Sequence, residues 1–184
     1  MKIALSNVRK ITLSTLIFFS VAIAFQACSK KKSTKKVDTS SANYRKAVSA
    51  FYVSLAAEET DHLNFAVNHM IKVTKLYPDE PAAWANLGVM ALQQGNFKFA
   101  QKKLENAQKK APKNADIEFL IGLMKSRQGN IKEALKALKK AQNLDPSNAK
   151  ILYKRAEELE RQDVKTNADQ VESLLQKILK KHPE

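Results

Sequence analysis

Glycine, proline and cysteine are scarce in this chain of 184 residues: four Gly, five Pro and one Cys. A single cysteine cannot pair within the chain, which excludes an internal disulfide framework. Histidine is equally sparse, with His62, His69 and His182 alone. His62 and His69 stand two helical turns apart, too far to share one ion. No Cys, Asp or Glu completes a ligand set around them, so no metal is expected. There is no glycine-rich phosphate loop and no G-x-S-x-G, which removes the usual supports of nucleotide and acyl-transfer chemistry. The expectation is a protein without catalysis and without a cofactor. Few helix breakers, placed at turns, imply long helices.

Acidic residues are also in deficit, and unevenly. Lys and Arg number 32 against 18 Asp and Glu, a formal net charge of +14. Residues 1–40 hold eight of those basic residues against Asp38 alone. Lys2, Arg9 and Lys10 precede an uncharged apolar run from Ile11 to Phe25. That run suits a signal peptide and is shorter than the ~20 residues that cross a bilayer as a helix. The only cysteine follows in Phe25-Gln26-Ala27-Cys28, which resembles the lipobox of bacterial lipoproteins, although Phe25 and Gln26 depart from its usual Leu and small residue. The resemblance implies a signal peptide over 1–27 and acylation at Cys28. Residues 28–42 form a Lys- and Ser-rich linker with no apolar period to pack a core, and its lysines could adhere to anionic headgroups.

The remaining prolines and glycines keep time. Pro78, Pro112 and Pro146 are 34 residues apart, as are Gly88 and Gly122, Gly95 and Gly129, Ala100 and Ala134, Leu104 and Leu138, and Ala107 and Ala141. Within one period, Trp84, Leu87, Gly88, Ala91 and Leu92 mark one helical face, Gly95-Asn96 a turn, and Phe97, Ala100, Leu104 and Ala107 a second face. Pro112 ends the second helix. This pattern resembles the tetratricopeptide repeat, W-x2-L-G-x2-Y, A-x3-F, P, with Ala91 in the place of Tyr and Leu104 in that of Phe. The units run over about 47–80, 81–114, 115–148 and 149–184. The first is degenerate, with Ala50, Val53 and Ser54 in the Trp, Leu and Gly places, and the third has Glu118 for Trp. The fourth carries a connection three residues longer before Val171. The first helix is expected over Tyr44 to Glu58, with Thr60 or Asp61 capping the next, and the last over Asp169 to Lys181.

The resemblance implies an all-α, right-handed superhelical solenoid of about four helical hairpins over 43–184. It implies that the first helices line a concave groove for a protein or peptide partner. The groove candidates are Phe51, Leu55, Ala85, Val89, Phe119, Leu123 and Tyr153, with Asn86, Gln93 and Arg127 as polar anchors; several could equally be core. A carboxylate clamp of the kind some family members carry is not spelled out, since its places hold Phe51, Leu55, Asn86, Asp116 and Leu120. Glu58-Glu59 and Glu157-Glu158 read as solvated surface. Lys98, Lys102, Lys109, Lys113, Lys132, Lys136 and Lys139 form a basic back without aromatics, so no nucleic acid is expected. Leu152, Leu159, Leu175 and Leu179 suggest an apolar edge on the last hairpin, to be covered by self-association or a partner. The functional expectation is a lipid-anchored scaffold or assembly factor of the bacterial cell envelope, on the exported side of a membrane. The alternative is a docking module, or the N-terminal part, of a larger envelope enzyme or electron-transfer system.

Overall fold

The computed structural model describes residues 38–181. The segment expected to be a signal peptide, Cys28 and most of the expected linker lie outside the described residues. The chain divides between Ser41 and Ala42. In the described part of the first unit, Asp38 Oδ1 accepts from the backbone N–H (3.0 Å) and the hydroxyl (2.6 Å) of Ser40.

The second unit is all helix among the described residues: α1 Ala42–Glu59, α2 Leu63–Leu76, α3 Pro81–Gln93, α4 Phe97–Lys110, α5 Ala115–Arg127, α6 Ile131–Leu144, α7 Ala149–Gln162 and α8 Val164–Lys181. Each odd helix packs on the even helix that follows, and each hairpin on the next, through α2 and α3, α4 and α5, and α6 and α7. This is a solenoid of four hairpins. No described helix is long and apolar enough to cross a membrane.

The 34-residue register explains the hairpins. Gly95 and Gly129 stand at φ 70° and 77° at the turn between paired helices. That left-handed conformation suits glycine because it has no Cβ. After the first turn, Asn96 Oδ1 accepts from Phe99 N at 3.1 Å and caps α4. Glu80 and Asn114, one period apart, cap α3 and α5 in the same way. In the first hairpin Asp61 takes the glycine's place, at φ 61°. It is therefore a turn residue and not a cap; the cap position is His62, whose side chain makes no capping bond. Thr60 donates its hydroxyl back to Ala56 O.

The close approach of paired helices has a visible cause. A Cβ on Gly88 would meet Leu104 Cδ2 at 2.6 Å, and one on Gly122 would meet Leu138 Cγ at 2.8 Å. In the first hairpin Ser54 occupies that place and donates its hydroxyl to Ala66 O at 2.7 Å. Ala66, Ala100 and Ala134, with Met70, Leu104 and Leu138, are completely buried at the hairpin cores. Burying each of these larger side chains contributes about 1.5–3 kcal/mol.

Two boundaries differ from expectation. α1 begins at Ala42, so the last linker residue is helical. The three extra residues of the fourth unit do not lengthen a loop; α7 and α8 are separated by Asp163 alone, and α8 runs to 18 residues. Asp163 supplies the chemistry that a longer connection would have needed. Its carboxylate accepts from Lys165 N (2.9 Å) and Thr166 Oγ1 (2.6 Å), while Asn167 Nδ2 bonds Leu159 O. The Thr166 hydroxyl, followed by the two backbone donors, holds this carboxyl below its ordinary value.

Candidate protein-binding groove

α3 touches α5 as well as its own partner α4, and hydrogen bonds join α1 to α3, α3 to α5 and α5 to α7, so the first helices of successive hairpins, which the resemblance makes the inner ones, adjoin along one wall of the stack. Phe51 and Leu55 on α1, Val89 on α3, and Phe119 and Leu123 on α5 are each half-buried there. These five offer partly accessible apolar surface at matched positions of successive hairpins. Phe51 packs against the core of the first hairpin and meets the Tyr52 ring edge-on at 5.8 Å. Tyr153 on α7 is 40% exposed. Ala85 lies almost flush with the wall and packs on Ala107 and Ile117.

The polar anchors are placed differently. Asn86 is buried, and its Nδ2 has no hydrogen-bond partner. That nitrogen is closed off from solvent, so it offers no donor at the groove surface. Gln93 and Arg127 do not stand free beside the groove either. Gln93 Nε2 donates to Glu58 Oε1 at 2.9 Å, Arg127 donates to Leu92 O at 3.0 Å, and Arg161 donates to Ser126 Oγ at 3.0 Å. Each contact spans 35 residues. The last turn of each of α3, α5 and α7 is thus tied to the last turn of the inner helix before it. These residues clasp the hairpins together, and the 34-residue period plus one could have shown it.

Two acidic residues read as surface or as a mere departure from the motif prove to be internal. Glu118, in the place of Trp84, is 2% exposed. It accepts from Gln108 on α4 at 2.7 Å and pairs with Lys140 on α6. Glu158 is completely buried, contrary to the solvated reading of Glu157-Glu158. It accepts from Ser126 Oγ at 2.7 Å, Lys154 Nζ at 2.9 Å and Arg161 at 2.8 Å. Burial alone would push this carboxyl up; the bonds from Ser126, Lys154 and Arg161, with the charge of Lys154, hold it below its usual range. Glu58 goes the other way. Burial pushes its carboxyl up, against the lowering bond from Gln93, and the neighbouring Glu59 adds to the rise.

The expected apolar edge of the last hairpin is mostly consumed. Leu152 and Leu159 are buried with Ala156, Val171 and Leu174, Leu175 and Ile178 pack against them, and only Leu179 is well exposed. The seven lysines of the basic back are all exposed. Lys103 is not part of that back: its Nζ lies 5.1 Å from the centre of the Trp84 ring and 4.5 Å from that of Phe99. Among the described residues no three His, Cys, Asp or Glu side chains converge as a metal site.

Comparison with known proteins agrees with this geometry. The family model described as TPR repeat matches residues 122–163, and the one described as Tetratricopeptide repeat matches residues 64–98. No curated protein sequence matches the chain. Among solved structures, MamA 41-end from Desulfovibrio magneticus RS-1 is similar at 22% identity, over 75% of this chain and 78% of that one, with a TM-score of 0.67. YrrB, described as a TPR protein with an unusual peptide-binding site, is similar at 17% identity over 76% and 71%, TM-score 0.60. The first TPR of Spaghetti (RPAP3), bound to the HSP90 peptide SRMEEVD, is similar at 14% identity over 64% and 93%, TM-score 0.60. The chain carries tetratricopeptide repeats, and its fold is that of a tetratricopeptide-repeat solenoid.

Proposed function

We propose that this protein is a non-catalytic interaction scaffold of the bacterial cell envelope, held to a membrane through acylated Cys28, which binds a protein partner along the inner wall. The observation that carries the binding reading is the run of half-buried apolar side chains at Phe51, Leu55, Val89, Phe119 and Leu123. A partner segment of complementary apolar or amphipathic character, laid across successive helices, would cover them in the groove mode. The solved solenoids of similar fold include one described by its peptide-binding site and one with a bound peptide, which supports the same use of this fold. The Gln93, Arg127 and Arg161 clasps keep neighbouring inner helices in fixed relation, so the wall is preorganised and loses little freedom on binding. The anchor reading rests on the apolar run from Ile11 to Phe25 followed by Ala27-Cys28.

Two measurements test the two halves separately. Crosslinking and pull-down from native envelopes, wild type against Val89→Glu plus Phe119→Glu, should lose the partner proteins in the double variant. Capture of the same set by both proteins removes the wall as the binding surface. Labelled palmitate should enter the wild type and not Cys28→Ser; equal labelling of both disposes of the anchor.

A further inference from the structure

The outer flank of α1 is unlike the equivalent flank of any later inner helix. One and two periods on from Ser49, Tyr52, Val53 and Ala56 stand Ala83, Asn86, Leu87 and Met90 of α3, then Ile117, Leu120, Ile121 and Met124 of α5. The four on α3 are all buried, as are Ile117 and Met124, because that flank packs on the preceding hairpin. On α1 the same positions are exposed, Tyr52 at 65% and Val53 at 37%, and Phe65 on α2 adds a third large apolar side chain at 53%. Terminal units of a solenoid ordinarily turn a polar face outward, and a clustered apolar face on a helical hairpin marks a contact surface.

The flank continues the series of seams between hairpins, so its occupant should be a helix of similar make. A second copy stacked head to tail is disfavoured by charge. The clasp that joins each inner helix to the one before it would then set Glu59 of one copy against Glu160 of the other, where Gln93, Arg127 and Arg161 otherwise donate. Two carboxylates cannot make that bond. An antiparallel arrangement has no such conflict. Residues 46, 49, 52, 53, 56 and 59 share one flank of the helix, and all six are exposed. Turning α1 about a point between Tyr52 and Val53 pairs Lys46 with Glu59, Ser49 with Ala56, and Tyr52 with Val53, all in one register. The small side chains of Ser49 and Ala56 let the helix axes approach, and the two ends bring opposite charges together.

We infer that the outer flank of α1 is a twofold interface between two copies of this chain, with the α1 helices antiparallel and Tyr52 and Val53 at the axis. A closed twofold pair is the commonest symmetric assembly. The interface is centred on a different flank of α1 from Phe51 and Leu55; Tyr52 meets Phe51 edge-on, so the Val89→Glu plus Phe119→Glu variant, which leaves α1 untouched, is what separates it from groove binding.

The test uses the full chain in detergent. Sedimentation equilibrium at micromolar concentration should give a dimer. Tyr52→Glu, with helicity unchanged because Tyr52 is exposed, should weaken it by at least about tenfold. Lys46→Glu should weaken dimerisation, and Glu59→Lys in the same chain should restore it. In a Cys28→Ser background, oxidation should trap a covalent dimer from Ser49→Cys plus Ala56→Cys and far less from either alone. A monomeric wild type, a dimer indifferent to Tyr52→Glu, or equal trapping from Ser49→Cys alone would overturn the proposal. So would a monomer in which Tyr52 is shielded from iodination only while residues 1–37 are present, since the flank would then hold the chain's own N-terminal segment.

Discussion

The second and fourth hairpins solve one packing problem with different chemistry. In α3 the residues turned toward the preceding hairpin are Leu87 and Met90, both fully buried. Two periods on, α7 has Arg155 and Glu158 in those places. Gly88 gives way to Ala156, and the Gly95 turn to the Asp163 cap. The apolar flank of the second hairpin is held by shape, which pH cannot alter. The last seam is held by a buried carboxylate and its donors, which pH can. A single 34-residue pattern therefore tolerates either solution, provided that a carboxylate placed in the seam finds its donors, as Glu158 does.

The largest difference should appear when each solution loses its central side chain. Leu104→Ala removes a completely buried residue packed beneath Gly88 and should cost about 3–4 kcal/mol. Because no titrating group is involved, urea unfolding should give the same loss at neutral and acid pH. A loss that shrinks strongly toward acid would mean that the second hairpin shares the electrostatic fate of the fourth.

Glu158→Met installs the residue that α3 and α5 carry at the same place, Met90 and Met124. It leaves Lys154, whose side chain is 17% exposed, with Glu157 as its remaining partner at 3.0 Å, and Arg161, at 43%, with the Ser126 hydroxyl. The expected cost at neutral pH is about 2–3 kcal/mol, at or below the usual range for breaking a buried pair because both cations reach water. The sign with pH follows from the depressed carboxyl of Glu158. Its stabilisation is present above the ordinary glutamate pKa and is lost as pH falls through the folded-state value. The variant's disadvantage should therefore shrink toward acid in the same urea series, and a constant disadvantage would make the seam a matter of packing after all.

How much of this was legible depended on whether the signal was local or arose from stacking. The hairpins, their turns and the tight Gly88 and Gly122 crossings follow from residue type and period, and the half-buried wall follows from the register of Phe51, Val89 and Phe119. Glu158 was misread because acidic residues are usually solvated, while its decisive partner Ser126 lies 32 residues away on another helix. Yet its place in line with Met90 and Met124 was already a sign that it faced inward. The third unit shows the same thing, since Glu118 stands where Trp84 does and is buried. The flank of α1 was the converse case. Tyr52 and Val53 sit at positions that α3 buries as Asn86 and Leu87, yet both are exposed.

The smallest expected effect sharpens the contrast between the first and last clasps. Glu58 and Ser126 occupy equivalent places, but Glu58 accepts from Gln93 as a half-buried carboxylate raised chiefly by burial. A raised folded-state value means that the charged form is disfavoured in the folded chain. Its penalty is absent below the ordinary glutamate pKa and grows as pH rises through the folded value. Glu58→Gln keeps an oxygen for Gln93 and removes the charge, so it should stabilise the protein at neutral pH by on the order of a few tenths of a kcal/mol, and by nothing in acid. Amide hydrogen exchange in the last turns of α1 and α3 reads this locally. Lowering pH through the carboxylate range should leave those amides as protected as before, once intrinsic exchange is corrected, while those of α5 and α7 around Ser126 and Glu158 open. If Glu58→Gln destabilises at neutral pH, the first clasp depends on the charge of Glu58, and the two ends of the solenoid are held by the same force.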